Sequence, residues 1–185
     1  MKPKYRLYAL LAAIALWSPL TVPAQNFSNE VYETRAFSDR FKTIRTDVEG
    51  RDLFPPIIEL NSNEHITISF DEMTEEASYL QYSLIHCNAD WRPSALSELE
   101  YLDGFNTNPI ETFDYSIATF AHYVHYSLTL PNEDVQFKAS GNYVLLVYPE
   151  NEPEQILLQV CFSVYENDIL VAPSVTSRTD IDYNS

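Results

Sequence analysis

Residues 124–130 form the stretch that decides the fold: Val124-His125-Tyr126-Ser127-Leu128-Thr129-Leu130. Apolar side chains occupy every second position of this stretch, and polar side chains mostly fill the positions between them. A period of two places the two sets on opposite faces of a β-strand. The stretch therefore predicts a strand with one face in an apolar core.

Similar patterns recur on both sides of this stretch. Residues Tyr143–Tyr148 are apolar at nearly every position, which is typical of a central strand or of one covered by another surface. Clear alternation marks three further strands, and two weaker candidates lie near the front of the chain: 66–70, 79–87, 156–164, 44–48 and 56–60. Seven or eight short strands with turn residues between them, among them Asp103-Gly104, predict an all-β fold.

This strand pattern favours an immunoglobulin-like antiparallel β-sandwich. Tyr143 follows Ser140-Gly141-Asn142 at the start of a late strand. In immunoglobulin-like domains a Tyr at such a position hydrogen-bonds back to the preceding connection. The segment Ser94–Leu102 fits either a short helical turn or a strand, and the sequence leaves both open.

The composition excludes several classes of function. The 185 residues include 27 acidic and 11 basic side chains, so the formal net charge is -16. A chain this acidic is a poor candidate for binding nucleic acid or an anionic membrane surface. It has three glycines and no glycine-rich phosphate-binding loop.

The first 24 residues resemble a secretory signal peptide. Lys2, Lys4 and Arg6 precede an apolar run, 7–17, that is too short to span a bilayer, and Ala24 offers a small residue for cleavage. An N-terminal membrane anchor is the alternative. We expect a leader at 1–24, a sandwich domain at 25–171 and a linker at 172–185 that leads towards a second domain outside this chain.

Cys87 and Cys161 are the only cysteines. An exported pair is compatible with a disulfide. Strand periodicity places Cys161 on the polar face with Gln159, opposite the apolar face, which argues against a bridge through the core. A bridge between neighbouring strands and two reduced thiols both stay open.

The candidate catalytic chemistry is weak. His122 and His125 are three positions apart, so on a strand they point to opposite faces and do not share a metal ion. His86 and Cys87 also diverge as strand neighbours. The carboxylates of Glu98, Glu100 and Asp103 are expected to be solvated surface. We therefore predict no enzyme activity, no metal and no cofactor.

One loop region carries more information than the rest. The segment His86–Ser94 ends a strand and combines turn-forming residues with a large aromatic side chain. It predicts either a turn held by its own polar side chains, with Trp91 packed inward, or a contact surface that continues into 97–105. The candidate partner-binding residues are Asn88, Asp90, Trp91, Tyr101, Asp103 and Phe105.

Several strings in the chain together resemble the plug proteins of the type IX secretion system. The most specific are His86-Cys-Asn-Ala-Asp-Trp91 and Glu100-Tyr-Leu-Asp-Gly-Phe105. Others are Pro56–Leu60, Ile66–Asp71, His125–Pro131, Ser140–Tyr143 and Thr179–Asn184. The resemblance covers roughly residues 35–185.

This resemblance implies an exported, periplasmic protein that begins with an immunoglobulin-like domain and continues into a second β-rich domain. Its partner would be the large outer-membrane β-barrel translocon, whose periplasmic mouth it closes by non-covalent contact. An alternative is an exported carbohydrate-binding or adhesin-like sandwich that stacks sugars on Trp91, Tyr101 and Phe105.

Overall fold

The computed structural model describes residues 31–51, 53–167, 169 and 172. The predicted leader, 1–24, lies outside the described residues, as do residues 173–185 of the predicted linker. No helix in the described part is both long enough and apolar enough to cross a membrane.

Twelve strands and one short helix follow each other along the described chain. In order they are β1 (Arg35–Ala36), β2 (Phe41–Val48), β3 (Ile57–Glu59), β4 (Ile66–Glu72), β5 (Leu80–Cys87), α1 (Glu98–Tyr101), β6 (Leu102–Gly104), β7 (Asn108–Pro109), β8 (Phe113–Tyr115), β9 (Val124–Leu130), β10 (Val135–Phe137), β11 (Gly141–Pro149) and β12 (Leu158–Tyr165).

Two facing sheets build the sandwich. The first has the order β1-β12-β11-β5-β7, and β3 pairs with β12 in parallel. The second has the order β2-β4-β9-β8, with every pair antiparallel. A separate two-stranded ribbon joins β10 to β6.

The alternating side chains meet between the sheets, as the sequence predicted. Ile66, Ile68 and Phe70 of β4 are fully buried, and they pack with the apolar stripe of β9 and the inner faces of β11 and β12. Of the two alternatives for Tyr143–Tyr148, the central strand is confirmed, because β11 pairs with β12 on one side and β5 on the other. The all-β, immunoglobulin-like sandwich is therefore the fold of this chain.

The segment from β6 to β8 closes one side of the sandwich by crossing from the first sheet to the second. Asn106 accepts a hydrogen bond from the Leu84 main-chain N–H and donates one to the Leu84 carbonyl, so its amide stands in for a strand partner along β5. β7 then pairs with Gln81 and Tyr82, and β8 pairs with β9 in the other sheet.

One open choice is settled and two local expectations are corrected. Ser94–Leu102 contains both alternatives, since α1 ends at Tyr101 and β6 begins at the next residue. Asp103 and Gly104, expected in a tight turn, belong to β6 and pair with β10. Gln159, expected on a polar face, is buried beside β1, and its amide donates a hydrogen bond to the Glu33 carbonyl at 2.7 Å.

Candidate partner-binding surface

The loop after β5 is a tight turn held by its own residues. The main-chain N–H of Asn88 donates to the Arg92 carbonyl at 2.8 Å, and that of Trp91 donates to the Asn88 carbonyl at 3.0 Å. The Asp90 carboxylate accepts from the Arg92 guanidinium at 2.7 Å, and this hydrogen bond lowers the pKa of Asp90. Asn88 and Asp90 are exposed, whereas Trp91 is half-buried and has a positive φ of 61°.

The same loop holds the N-terminal arm, residues 31–34, against the first sheet. The Trp91 carbonyl accepts a hydrogen bond from the Tyr32 main chain at 2.9 Å. Two residues further along, the Thr34 hydroxyl accepts from the Cys161 N–H at 3.0 Å on β12. The arm therefore crosses from β12 to the end of β5, and the Trp91 loop anchors it there.

The second half of the predicted surface is partly buried. Ser97 caps α1 in a capping box with Glu100, whose pKa is lowered by hydrogen bonds from Ser97. Asp103 is exposed, and the Phe105 side chain is 82% exposed. Tyr101 is only 5% exposed, and its hydroxyl donates to the Leu84 carbonyl at 3.1 Å.

Tyr101 must therefore be removed from the predicted contact residues. Its ring faces the core because α1 turns that side of the chain towards β5, and the sequence alone did not reveal this direction. The carbohydrate-binding alternative loses one of its three stacking platforms for the same reason. Asn88, Asp90, Trp91, Asp103 and Phe105 stay predictions.

His86 has a structural position that the sequence did not show. Its Nε2 lies 3.0 Å from the Ser140 carbonyl, and its Nδ1 lies 2.7 Å from the Ser94 hydroxyl. A carbonyl oxygen only accepts, so Nε2 carries a proton. The ring lies directly over Gly141, where a Cβ atom would overlap Nε2. His86 thus joins the loop after β5 to the start of β11.

Tyr143 completes this cluster as a tyrosine corner. Its hydroxyl donates to the Ala139 carbonyl at 2.6 Å, four residues upstream, as the sequence predicted. The ring meets His86 edge-on, with centroids 5.1 Å apart, and stacks on Phe162 at 5.7 Å. We refer to His86, Ser94, Tyr101, Gly141 and Tyr143 as the closed corner.

The remaining chemistry-bearing side chains form no common site in the described part of the chain. His125 contacts the Asp71 carboxylate at 2.7 Å, while His122 is exposed in the β8–β9 loop. No group of three or more His, Cys, Asp or Glu side chains within residues 31–51 and 53–167 is arranged to hold a metal ion.

Both cysteines are free thiols. β11 separates the strands that carry them, and two strand spacings amount to roughly 9.6 Å, beyond the reach of a disulfide. Burial raises the pKa of Cys87 to about 12 and that of Cys161 to about 11. The two thiols are therefore protonated and poorly nucleophilic near neutral pH.

A second surface, at the opposite end of β5, was not anticipated from the sequence. The edge strand β8 borders a groove of about 380 Å³. Exposed aromatic rings of Tyr79, Phe113 and Tyr115 surround it, with Leu80 and Ile110 at its base. We refer to β8 and this groove as the open edge. The sequence signal was the apolar pair flanking Asp114, which is too short to stand out as a strand.

The facing sheets and the tyrosine corner define an immunoglobulin-like sandwich. Within that class, residues 41–166 match the family model described as the first domain of type 9 secretion system plug proteins. The chain belongs to this family. The match confirms the resemblance of the sequence strings, and it associates the chain with the type IX secretion system and the cell envelope. This family is not one of enzymes.

One solved structure gives the same picture of the fold. A hypothetical protein from Parabacteroides merdae is 43% identical, with a TM-score of 0.71 over 73% of this chain. The alignment covers 34% of that protein, so this chain spans about a third of its length.

Other comparisons add little. A Pseudomonas fluorescens alkylpurine DNA glycosylase is 9% identical with a TM-score of 0.36, and the alignment covers 68% of this chain and 30% of that protein. A Niemann-Pick type C2 protein from the Japanese carpenter ant is 12% identical with a TM-score of 0.39, and the alignment covers 73% of this chain and 99% of that protein. No curated protein matches the chain.

Proposed function

We propose that this chain is a non-enzymatic, periplasmic component of a plug that binds the outer-membrane translocon of the type IX secretion system and closes its periplasmic mouth. The observation that carries this proposal is the family match over residues 41–166, nearly the whole described sandwich. Export by cleavage of the leader 1–24 is part of the proposal.

Steric contact suffices for this role. The closed corner shows polar groups that satisfy each other inside the fold, and no buried side-chain nitrogen or oxygen in the described part lacks a hydrogen-bond partner. A rigid sandwich of this kind presents fixed surfaces, which lowers the ordering cost of docking. Since the chain spans a third of the similar solved protein, we propose that it supplies docking, and that full occlusion needs a second domain.

The test is co-purification from a bacterium that uses this secretion system. The tagged chain is expressed in the periplasm and the outer membrane is extracted in mild detergent at moderate salt. We expect a large β-barrel protein to co-purify in a stoichiometric amount. An unrelated periplasmic sandwich with the same tag serves as the control. Equal recovery of the barrel with both proteins, or none with this chain, would reject the proposal.

A further inference from the structure

We propose that the open edge is a docking site for an extended segment of a partner protein, which adds as a strand to β8 and carries apolar side chains on either side of a Lys or Arg. The proposal adds a docking surface to the proposed function, but its argument and its test need no translocon. It rests on the backbone, the side chains and the charge at this edge.

The backbone of β8 has unpaired hydrogen-bonding groups. Thr112 and Ser116 bond to β9 through the Ser127→Thr112 and Ser116→Tyr123 main-chain hydrogen bonds at 3.0 and 2.9 Å. In an antiparallel pair, alternate residues face the partner strand. The N–H and carbonyl groups of Phe113 and Tyr115 therefore face away from β9, towards the free edge, where an added strand finds up to four hydrogen-bonding groups.

The side chains of β8 show an incomplete core. Phe113 lies opposite Tyr126 in the register, with ring centroids 5.8 Å apart, so it belongs to the inner face of the sheet. Yet Phe113 is 40% and Tyr115 53% exposed, because the facing sheet ends at the two-residue β7. An added strand would place its inward-facing side chains over the groove and cover these rings.

The charge at the edge selects the partner. Glu111 and Glu150 are the charged residues that line the groove, and Asp114 lies on the outer face of β8. In a second copy paired antiparallel about Asp114, the two carboxylates would lie side by side and repel each other. A Lys or Arg at that position pairs with Asp114 instead, so the fitting segment reads apolar, basic, apolar.

The chain's own undescribed segments fit this site poorly. Tyr32 and Tyr165 both lie at the end of the first sheet where Gly141 begins β11, whereas Tyr79 and Glu150 lie at the other end. The nine residues of β11 span roughly 30 Å between these ends. Once the proposed leader 1–24 is cleaved, residues 25–30 carry Glu30 and no basic residue, and residues 168–185 carry three Asp and one Arg, so neither complements an acidic groove.

The test titrates the full chain with a seven-residue peptide that alternates valine with lysine, followed by two-dimensional NMR. Two control peptides replace lysine with glutamate or carry N-methyl groups on the hydrogen-bonding edge. We expect the lysine peptide to bind, with the largest amide shifts at Phe113 and Tyr115, and both controls to bind at least tenfold more weakly.

A charge reversal tests the pairing directly. Asp114→Lys should weaken the lysine peptide roughly tenfold and strengthen the glutamate peptide. Asp47→Lys makes the same change on an exposed residue of β2, the opposite edge of the same sheet, and should leave both affinities unchanged. Amide spectra of both variants check that the fold is retained.

Several results would overturn the proposal that the open edge is a docking site. These are equal binding of the lysine and glutamate peptides, undiminished binding of the N-methylated peptide, shifts that map away from β8, and no binding at millimolar peptide. Concentration-dependent dimers that pair through β8 would replace the partner with a second copy. Barrel co-purification that survives Asp114→Lys would reject this surface as the translocon contact while leaving the proposed function standing.

Discussion

The closed corner and the open edge lie at two ends of one sandwich, and they differ in whether their polar groups and rings are paired within the chain. At the closed corner, polar groups and rings are paired inside the chain: His86 bonds to Ser94 and Ser140, and Tyr143 bonds to Ala139. At the open edge, main-chain groups and the rings of Phe113 and Tyr115 have no strand to cover them. The most distinctive sequence strings mark the closed corner, so they report how the fold is held together.

The largest expected difference appears at alkaline pH, where buried phenols must ionise. Burial, with a smaller effect of the Glu98 charge, raises the pKa of Tyr101 to about 12. Burial likewise raises the pKa of Tyr143 above its ordinary range. The unfolded chain loses these protons near pH 10 while the folded chain keeps them, so the free energy of unfolding is fully retained below pH 10 and falls as pH rises towards 12.

Urea unfolding at pH 8, 10 and 11 measures this effect. We expect the midpoint concentration to fall steeply between pH 10 and pH 11. The Tyr101→Phe variant removes one of the phenols and should show a shallower fall. Identical midpoints at pH 8 and pH 11 would show that the closed corner does not hold its phenols neutral.

Gly141→Ala should give the next largest effect. The residue has a φ of +146°, and a Cβ atom would overlap the His86 ring. Backbone strain and overpacking together should lower the free energy of unfolding by about 3 kcal/mol. Gly50→Ala is the matched control, because Gly50 also has a positive φ of +73° but open space around it. That variant should lose about 1 kcal/mol, and equal losses in the two variants would contradict the packing of His86 on Gly141.

Tyr143→Phe deletes a single oxygen at the closed corner. The partly buried Ala139 carbonyl then loses its donor, so we expect a loss of roughly 1 to 2 kcal/mol in chemical denaturation. Tyr148→Phe is the control: its ring is similarly buried, but its hydroxyl is not among the buried atoms and makes no hydrogen bond to the described part of the chain. A tyrosine corner that contributes nothing would make the two variants indistinguishable.

Tyr115→Ser should have the smallest effect on stability, although it deletes a whole ring. The side chain is 53% exposed and packs edge-on against Phe113 at 5.8 Å. We expect a change within about 0.5 kcal/mol in the same denaturation measurement. A loss larger than that of Tyr143→Phe would mean that the open edge is part of the core, which would remove the contrast between the two ends.

Much of the architecture could be predicted because it depends on a local period. The apolar side chains of β4 and β9 fall at every second position and those of β11 at nearly every position, so their burial followed from position alone. The tyrosine corner could also be predicted, since Tyr143 and its acceptor are four residues apart. Very short strands such as β7 and β8 carry too few residues for a period to show, and they appeared only in the structure.

The candidate surface was harder to predict because exposure depends on distant segments. Phe105 and Tyr101 lie in the same string, yet one is 82% and the other 5% exposed. Nothing within the string separates them, since the difference arises from where β5 lies relative to α1. The exposure of Phe113 and Tyr115 could not be predicted for the same reason, since it depends on the short length of β7 in the opposite sheet.

The sequence by itself determined the all-β class, the strands that carry the core and the family strings, because side-chain alternation and turn residues act over a few neighbours. Only the tertiary structure decided that His86 rests on Gly141, that Tyr101 faces inward and that β8 keeps a free edge. Those facts depend on which strands become neighbours, and strand pairing joins residues that are far apart in the chain.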